Sequence, residues 1–118
     1  MPVHERMVNE RKDIVDKAHY PEPVSLTGVI LTFWMRRLGA ADYKVSAAAC
    51  DPPTDVSDQY GMPAGRVWEH RFTPSGTAFD AEGRYDYQFR QDYGSNRYQY
   101  IPGEGVWGRI VVAGPAVA

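Results

Sequence analysis

The chain has 118 residues, 13 basic and 15 acidic side chains for a formal charge of -2, and 43% hydrophobic residues with one cysteine, Cys50. That length fits a single domain able to bury a core without staples, and the near balance of charge excludes a broad electrostatic attraction to nucleic acid or to anionic membrane. One cysteine excludes an internal disulfide framework and a multi-cysteine metal cluster, and no apolar run reaches the roughly 20 residues that span a bilayer.

Residues 1–18 are dense in mixed charge: Glu5, Arg6, Glu10, Arg11, Lys12, Asp13, Asp16 and Lys17. The apolar residues Met7, Val8, Ile14 and Val15 are too sparse for an amphipathic helix. The segment reads as an extended charged N-terminal arm, either solvated or ordered against a neighbouring subunit, and Arg6, Arg11 and Lys12 are its candidate partner contacts. Its first residues lack the apolar stretch of a signal peptide, and a lone cysteine suits a reducing compartment. Synthesis in a cytoplasm is therefore expected.

Tyr20-Pro21-Glu22-Pro23 breaks any helix and delivers the chain into a strand. In residues 29–36, Val29, Leu31, Phe33 and Met35 fall on one face and Ile30, Thr32, Trp34 and Arg36 on the other. Trp34 thus sits away from the core, covered by a loop or exposed as an anchor. Residues 43–50 fit a strand or a turn or two of helix, since alanine favours the latter. Residues 51–55 and 61–65 are turns, and 66–72 form a strand. The clearest alternation follows in residues 84–90: Tyr85, Tyr87 and Phe89 on a dry face, Arg84, Asp86, Gln88 and Arg90 on a wet one. The loop 92–96 turns the chain into 97–101, predicting a hairpin. Residues 106–112 close the fold, and 115–118 are a C-terminal tail. Strands every ten or so residues, with no long helical pattern between them, predict an all-β antiparallel sandwich over residues 19–114.

Groupings that carry chemistry are scarce. His4, His19 and His70 stand at no metal-ligand spacing. Cys50 lacks a basic neighbour or helix N-terminus to lower its pKa, so it reads as a small packed residue. The last hairpin contains no cysteine, histidine or methionine, which removes a blue-copper site. Asp80 with Glu82, and Asp55 with Asp58, lie in loops where solvated carboxylates are ordinary. Gly103-Glu104-Gly105 is a turn and not a phosphate cradle. Arg84, Arg90 and Arg97 alternate with tyrosines, a pattern usable on single-stranded nucleic acid, but Asp86 and Asp92 oppose it. No catalytic, cofactor or metal residue is assigned. The invested residues are aromatic: eight tyrosines and three tryptophans, whose rings pack while their polar ends stay wet. Trp34, Tyr93, Tyr98, Tyr100 and Trp107 are the candidate partner contacts.

The order of these pieces resembles the N-terminal domain of phage upper baseplate proteins. Leu26-Thr27-Gly28 is followed by the strand that ends at Arg36-Arg37. Gly65-Arg66-Val67 and Gly83-Arg84-Tyr85-Asp86-Tyr87-Gln88-Phe89 follow in turn, then Gly94, Pro102, Gly105 and Ile110-Val111-Val112. The resemblance covers residues 24–112. One departure is that Trp68, His70 and Phe72 run a position out of step with the family's alternation, which a bulge would explain. The resemblance implies an Ig-like module of a tailed phage particle that is not an adhesin, and the scarcity of catalytic groupings leads to the expectation that it is not an enzyme. A capsid decoration (cement) protein bound to major capsid subunits is the leading expectation, with the arm as anchor. A tail or baseplate accessory, self-association, and a carbohydrate- or peptide-binding sandwich that stacks ligand on Tyr93, Tyr98, Tyr100 and Trp107 are the alternatives.

Overall fold

Nine strands form in the computed structural model, which describes residues 3–102 and 106–114. They are β1 (Val3–Met7), β2 (Ile14–His19), β3 (Ile30–Arg37), β4 (Tyr43–Ala49), β5 (Thr54–Asp55), β6 (Val67–Phe72), β7 (Gly83–Asp92), β8 (Tyr98–Ile101) and β9 (Gly108–Ala113), with one 3₁₀ turn at Ser57–Tyr60. The expected turn at residues 103–105, the 115–118 tail and the first two residues of the expected arm lie outside the described residues.

The strands make two sheets. The larger runs β1-β9-β7-β3-β4 with β8 also on β7, and the smaller runs β2-β6-β5. Strand β7 is the spine of the larger sheet. Along one flank it pairs with all of β3, from Ile30 opposite Asp92 to Arg37 opposite Tyr85. Its other flank is shared end to end: residues 83–87 pair with β9 and residues 89–92 with β8.

Period-2 alternation explains the core. Leu31, Phe33 and Met35 of β3 and Tyr85, Tyr87 and Phe89 of β7 all point inward and are essentially fully buried. They meet Ile14 of β2 and Phe72 of β6 from the smaller sheet, with Phe79 from the β6–β7 connection and Ile110 and Val112 from β9. Each such side chain contributes about 1.5–3 kcal/mol by leaving water. Phe33 stacks on Phe72 across the two sheets, centroids 3.9 Å apart and planes 2° apart. A second cluster of Leu26, Val29 and Trp68 extends the interior under the approach to β3.

Several expectations need correction. Residues 3–19 are not an extended arm: β1 lies on the edge of the larger sheet and β2 on the edge of the smaller one, so this segment crosses between the layers. The pairing of β1 with β9 is parallel, which also corrects the expectation of a wholly antiparallel fold. Of the two alternatives for residues 43–50, the strand forms, over Tyr43–Ala49, in bulged register with β3 and with Ala47 at φ 50°. In β6, Trp68, His70 and Phe72 do face inward, but its pairing with β2 runs unbroken from Ile14–Phe72 to His19–Val67, so no bulge accounts for their offset.

The N-terminal segment is held by polar side chains that face inward. Arg6 is 8% exposed; its guanidinium donates to the carbonyls of Lys12 (3.2 Å), Glu5 (2.7 Å) and Asp13 (2.5 Å) and pairs with Glu10 at 3.3 Å. It therefore braces the crossover that carries the chain from β1 to β2. Beside it, His4 Nε2 lies 3.0 Å from Asp16 Oδ1 and 3.1 Å from Tyr87 Oη, and the Tyr87 hydroxyl donates to Asp16 Oδ2 at 2.5 Å. This three-residue latch joins the two sheets. Burial and the Asp16 carboxylate both push the Tyr87 phenol up, so it stays a protonated donor. Gly108 makes room for it: a Cβ at that position would overlap the Tyr87 ring.

Candidate functional site

The outward face of the larger sheet collects the residues left over by the core. Residues 32, 34 and 36 of β3 point outward, opposite Arg90, Gln88 and Asp86 of β7, and Tyr100 lies across from Arg90. Tyr43 lies across from Arg36, and Trp107 reaches the same face just before β9. Rings and guanidinium groups then interleave. Arg36 sits 4.2 Å from the Trp107 ring centroid, and Arg90 sits 3.6 Å from Tyr98 and 5.7 Å from Trp34. Trp34 and Tyr43 meet edge to face at 5.2 Å, and Tyr43 and Trp107 lie 6.4 Å apart at 30°.

The array is anchored to the sheet by directed bonds. The Trp34 indole N–H donates to Thr32 Oγ1 at 3.0 Å. Gln88 is buried beneath the rings, and its Nε2 donates to the Val106 carbonyl at 3.0 Å. Between Trp34, Tyr43, Gln88, Arg90, Tyr100 and Trp107 lies a hollow of about 100 Å³, enough for a small side chain from a partner. Tyr43 and Tyr98 are 40% and 37% exposed, so the face is stacked but open.

The structure therefore unites four of the eight residues singled out from sequence: Trp34, Tyr98, Tyr100 and Trp107. Trp34 is neither capped by a loop nor free; it is half-buried between Tyr43 and Arg90. The other four lie elsewhere. Arg6 is the buried brace of the crossover, which removes it as a partner contact. Arg11 and Lys12 are exposed on that crossover, and Arg11 lies against Gly76. The cations meeting the rings are Arg36 and Arg90. Tyr93 sits at the far end of β7, where its hydroxyl donates to Gln91 Oε1 at 2.6 Å. The four-ring stacking platform expected from sequence thus divides between two places. Tyr43, Arg36 and Arg90 escaped selection because their partnership depends on cross-strand register.

The remaining chemistry reads as structure. Among the described residues no group of three or more His, Cys, Asp and Glu is placed to hold a metal ion. The half-buried Cys50 thiol is pushed up to about 12 by burial and by Asp51, so it is a thiol and not a thiolate at neutral pH. Asp55 accepts from the Ser57 hydroxyl (2.5 Å) and amide (3.0 Å) and from the Gly65 amide (2.8 Å), which lowers its pKa and pins the loop before β6. Asp80 pairs with Lys44. His70 is fully buried with Nε2 2.6 Å from the Gln91 amide nitrogen, and burial lowers its pKa. Among the described residues no helix is long and apolar enough to cross a membrane. No protein-family model matches the chain, and a search of curated proteins finds no match.

Proposed function

We propose that the chain is a non-enzymatic structural protein of a tailed bacteriophage particle, an Ig-like sandwich that docks on other virion subunits. The aromatic and arginine face of the larger sheet carries this reading. Tryptophan, tyrosine and arginine are the residues that dominate binding energy at protein interfaces, and here Trp34, Tyr43, Tyr98, Trp107, Arg36 and Arg90 share one face. Trp34 is already held by Thr32, and Trp34, Tyr98 and Trp107 by the guanidinium stacks, so little side-chain freedom is lost on docking. A cation held over a ring is worth about 0.5–1 kcal/mol when exposed and about 2 when water is removed. The array therefore strengthens when a partner covers it.

The phage assignment rests on the resemblance of residues 24–112 to upper baseplate modules. Within it, capsid decoration is the primary reading, with major capsid subunits as partners and the protein made in the host cytoplasm before joining the virion. A tail or baseplate accessory role uses the same face, as does association with a second copy. The docking element is the sheet face, because residues 3–19 are committed to the fold.

Electron cryomicroscopy of the chain mixed with particles from its source tests this. Regular density on the shell, lost in an Arg36→Ala/Trp107→Ala double variant that still folds, is the expected result. Density at the tail moves the protein to the baseplate group. Absence from both, or binding that the double variant retains in full, rejects the reading.

A further inference from the structure

A second surface lies where the chain enters β3 and where β7 turns into β8. Tyr20, Tyr93, Asn96, Arg97, Tyr98 and Gln99 line a cleft of about 580 Å³ there, closed on one side by residues 24–26. That size falls within the roughly 300–1,000 Å³ of small-ligand clefts.

Both walls are fixed. The Tyr20 amide donates to the Arg66 carbonyl (2.8 Å), Arg66 Nε donates to the Tyr20 carbonyl (2.6 Å), and the Val24 amide donates to the Gly65 carbonyl (3.0 Å). Opposite, the loop is tied by bonds from the Tyr93 amide to the Arg97 carbonyl and from the Arg97 amide to the Gly94 carbonyl, both 2.9 Å. Asp92 Oδ1 accepts from the Gly94 amide at 2.8 Å. Gly94, Ser95 and Asn96 are all left-handed, with φ 81°, 51° and 59°; such a run persists only where the surroundings hold it.

The walls meet on a buried amide. Gln91 is fully buried; its Oε1 accepts from Tyr93 Oη, and its Nε2 donates to Tyr20 Oη at 3.3 Å and faces His70 Nε2 at 2.6 Å. One interior side chain thus orients two of the three rings from behind. The third, Tyr98, has Arg90 over one face, leaving its other face for a ligand.

From this arrangement we infer that the cleft binds a small saccharide carrying a carboxylate. Tyrosine faces are electron-rich and attract the polarised C–H groups of a sugar ring. Asn96 presents a donor and an acceptor and Gln99 the donors of its amide, its Oε1 lying 3.5 Å from the Tyr93 hydroxyl; such groups satisfy neighbouring sugar hydroxyls. Arg97 forms no ion pair among the described residues, and its guanidinium fork matches a carboxylate. A purely apolar ligand would leave these groups unpaired, which is costly. Apart from Tyr98, the cleft uses none of the residues of the docking face, so the two proposals fail separately.

Amide NMR titration of the full-length chain tests the inference. The probes are methyl glucuronide, methyl galacturonide and N-acetylneuraminic acid, with methyl glucoside and acetate as controls. At least one acidic sugar is expected to give saturable shifts at residues 93–99 with a dissociation constant at or below the order of 1 mM. The controls are expected to bind at least about ten-fold more weakly, Arg97→Gln to erase that preference, and Tyr98→Ala to abolish binding. No saturable shift with any acidic sugar, shifts confined to Trp34 and Trp107, or equal response to glucoside or acetate overturns it.

Discussion

The β3–β7 pair and the N-terminal strands both line the interior, yet they are closed by opposite means. Over residues 31–35 of β3 and 85–89 of β7 every second residue is apolar, and Leu31, Phe33, Met35, Tyr85, Tyr87 and Phe89 fill the space between the sheets. In β1 the inward positions are His4 and Arg6 while Val3 and Met7 face out, and closure comes from hydrogen bonds to carbonyls, Asp16 and Tyr87. Burial is non-directional and tolerates small shifts, whereas a buried guanidinium requires each of its acceptors in place. The first region sets the architecture; the second locks the layers together.

The strongest way to break this comparison is to remove the second region. Deleting residues 1–18 takes away β1, most of β2 and the buried Ile14, and the truncated chain is expected to lose cooperative folding, as read by circular dichroism and amide dispersion. A truncated chain that folds would show the segment to be an appendage after all. Next in size is Phe33→Ala, which removes the stack on Phe72 and should cost about 3–5 kcal/mol in denaturant unfolding. Tyr87→Phe separates the two mechanisms within one residue, because it keeps the ring in the core and deletes the latch hydroxyl. It should cost about 1–3 kcal/mol by leaving Asp16 short of a donor; a neutral result would mean that the ring alone matters.

The smallest effect sharpens the polar side of the comparison. His70 is buried with its pKa lowered from the ordinary 6.5, so below that value the unfolded chain binds a proton that the folded chain refuses. The neutral histidine's contribution is complete above about 6.5 and is lost as pH falls from there towards the folded value. His70→Gln should flatten the fall in unfolding midpoint between pH 7 and pH 5 relative to the wild type. An identical slope in both proteins would exclude His70 as its source.

How much of this was legible follows from the same contrast. The inward sets, Leu31, Phe33 and Met35 of β3 and Tyr85, Tyr87 and Phe89 of β7, could be read directly because apolar residues alternate over those stretches. Strand β1 could not, since its pattern has the right period with polar residues at the inner positions, and three of their partners, Lys12, Asp13 and Asp16, come only after a turn. Strand β4 was obscured by the left-handed Ala47, which resets the alternation. At the surface, Trp34, Tyr98, Tyr100 and Trp107 stood out as large aromatics with no place in the core. Tyr43, Arg36 and Arg90 became partners only through the registers of β3 with β4 and of β7 with β8. Tyr20 and Tyr93 are linked through Gln91, a connection across 71 positions in sequence that no local pattern records.

The bulged β4 carries a consequence for life at high concentration. A sandwich has open edges, and an edge strand with a straight row of free backbone donors and acceptors is a template for sheet-to-sheet polymerisation. The larger sheet ends on one side in β4, whose register slips twice and whose Ala47 turns the backbone out of line; the smaller sheet ends on one side in β5, only two residues long. Neither offers a neighbour a run of matched hydrogen bonds, so molecules crowded together are steered away from ribbon-like pairing along these two edges.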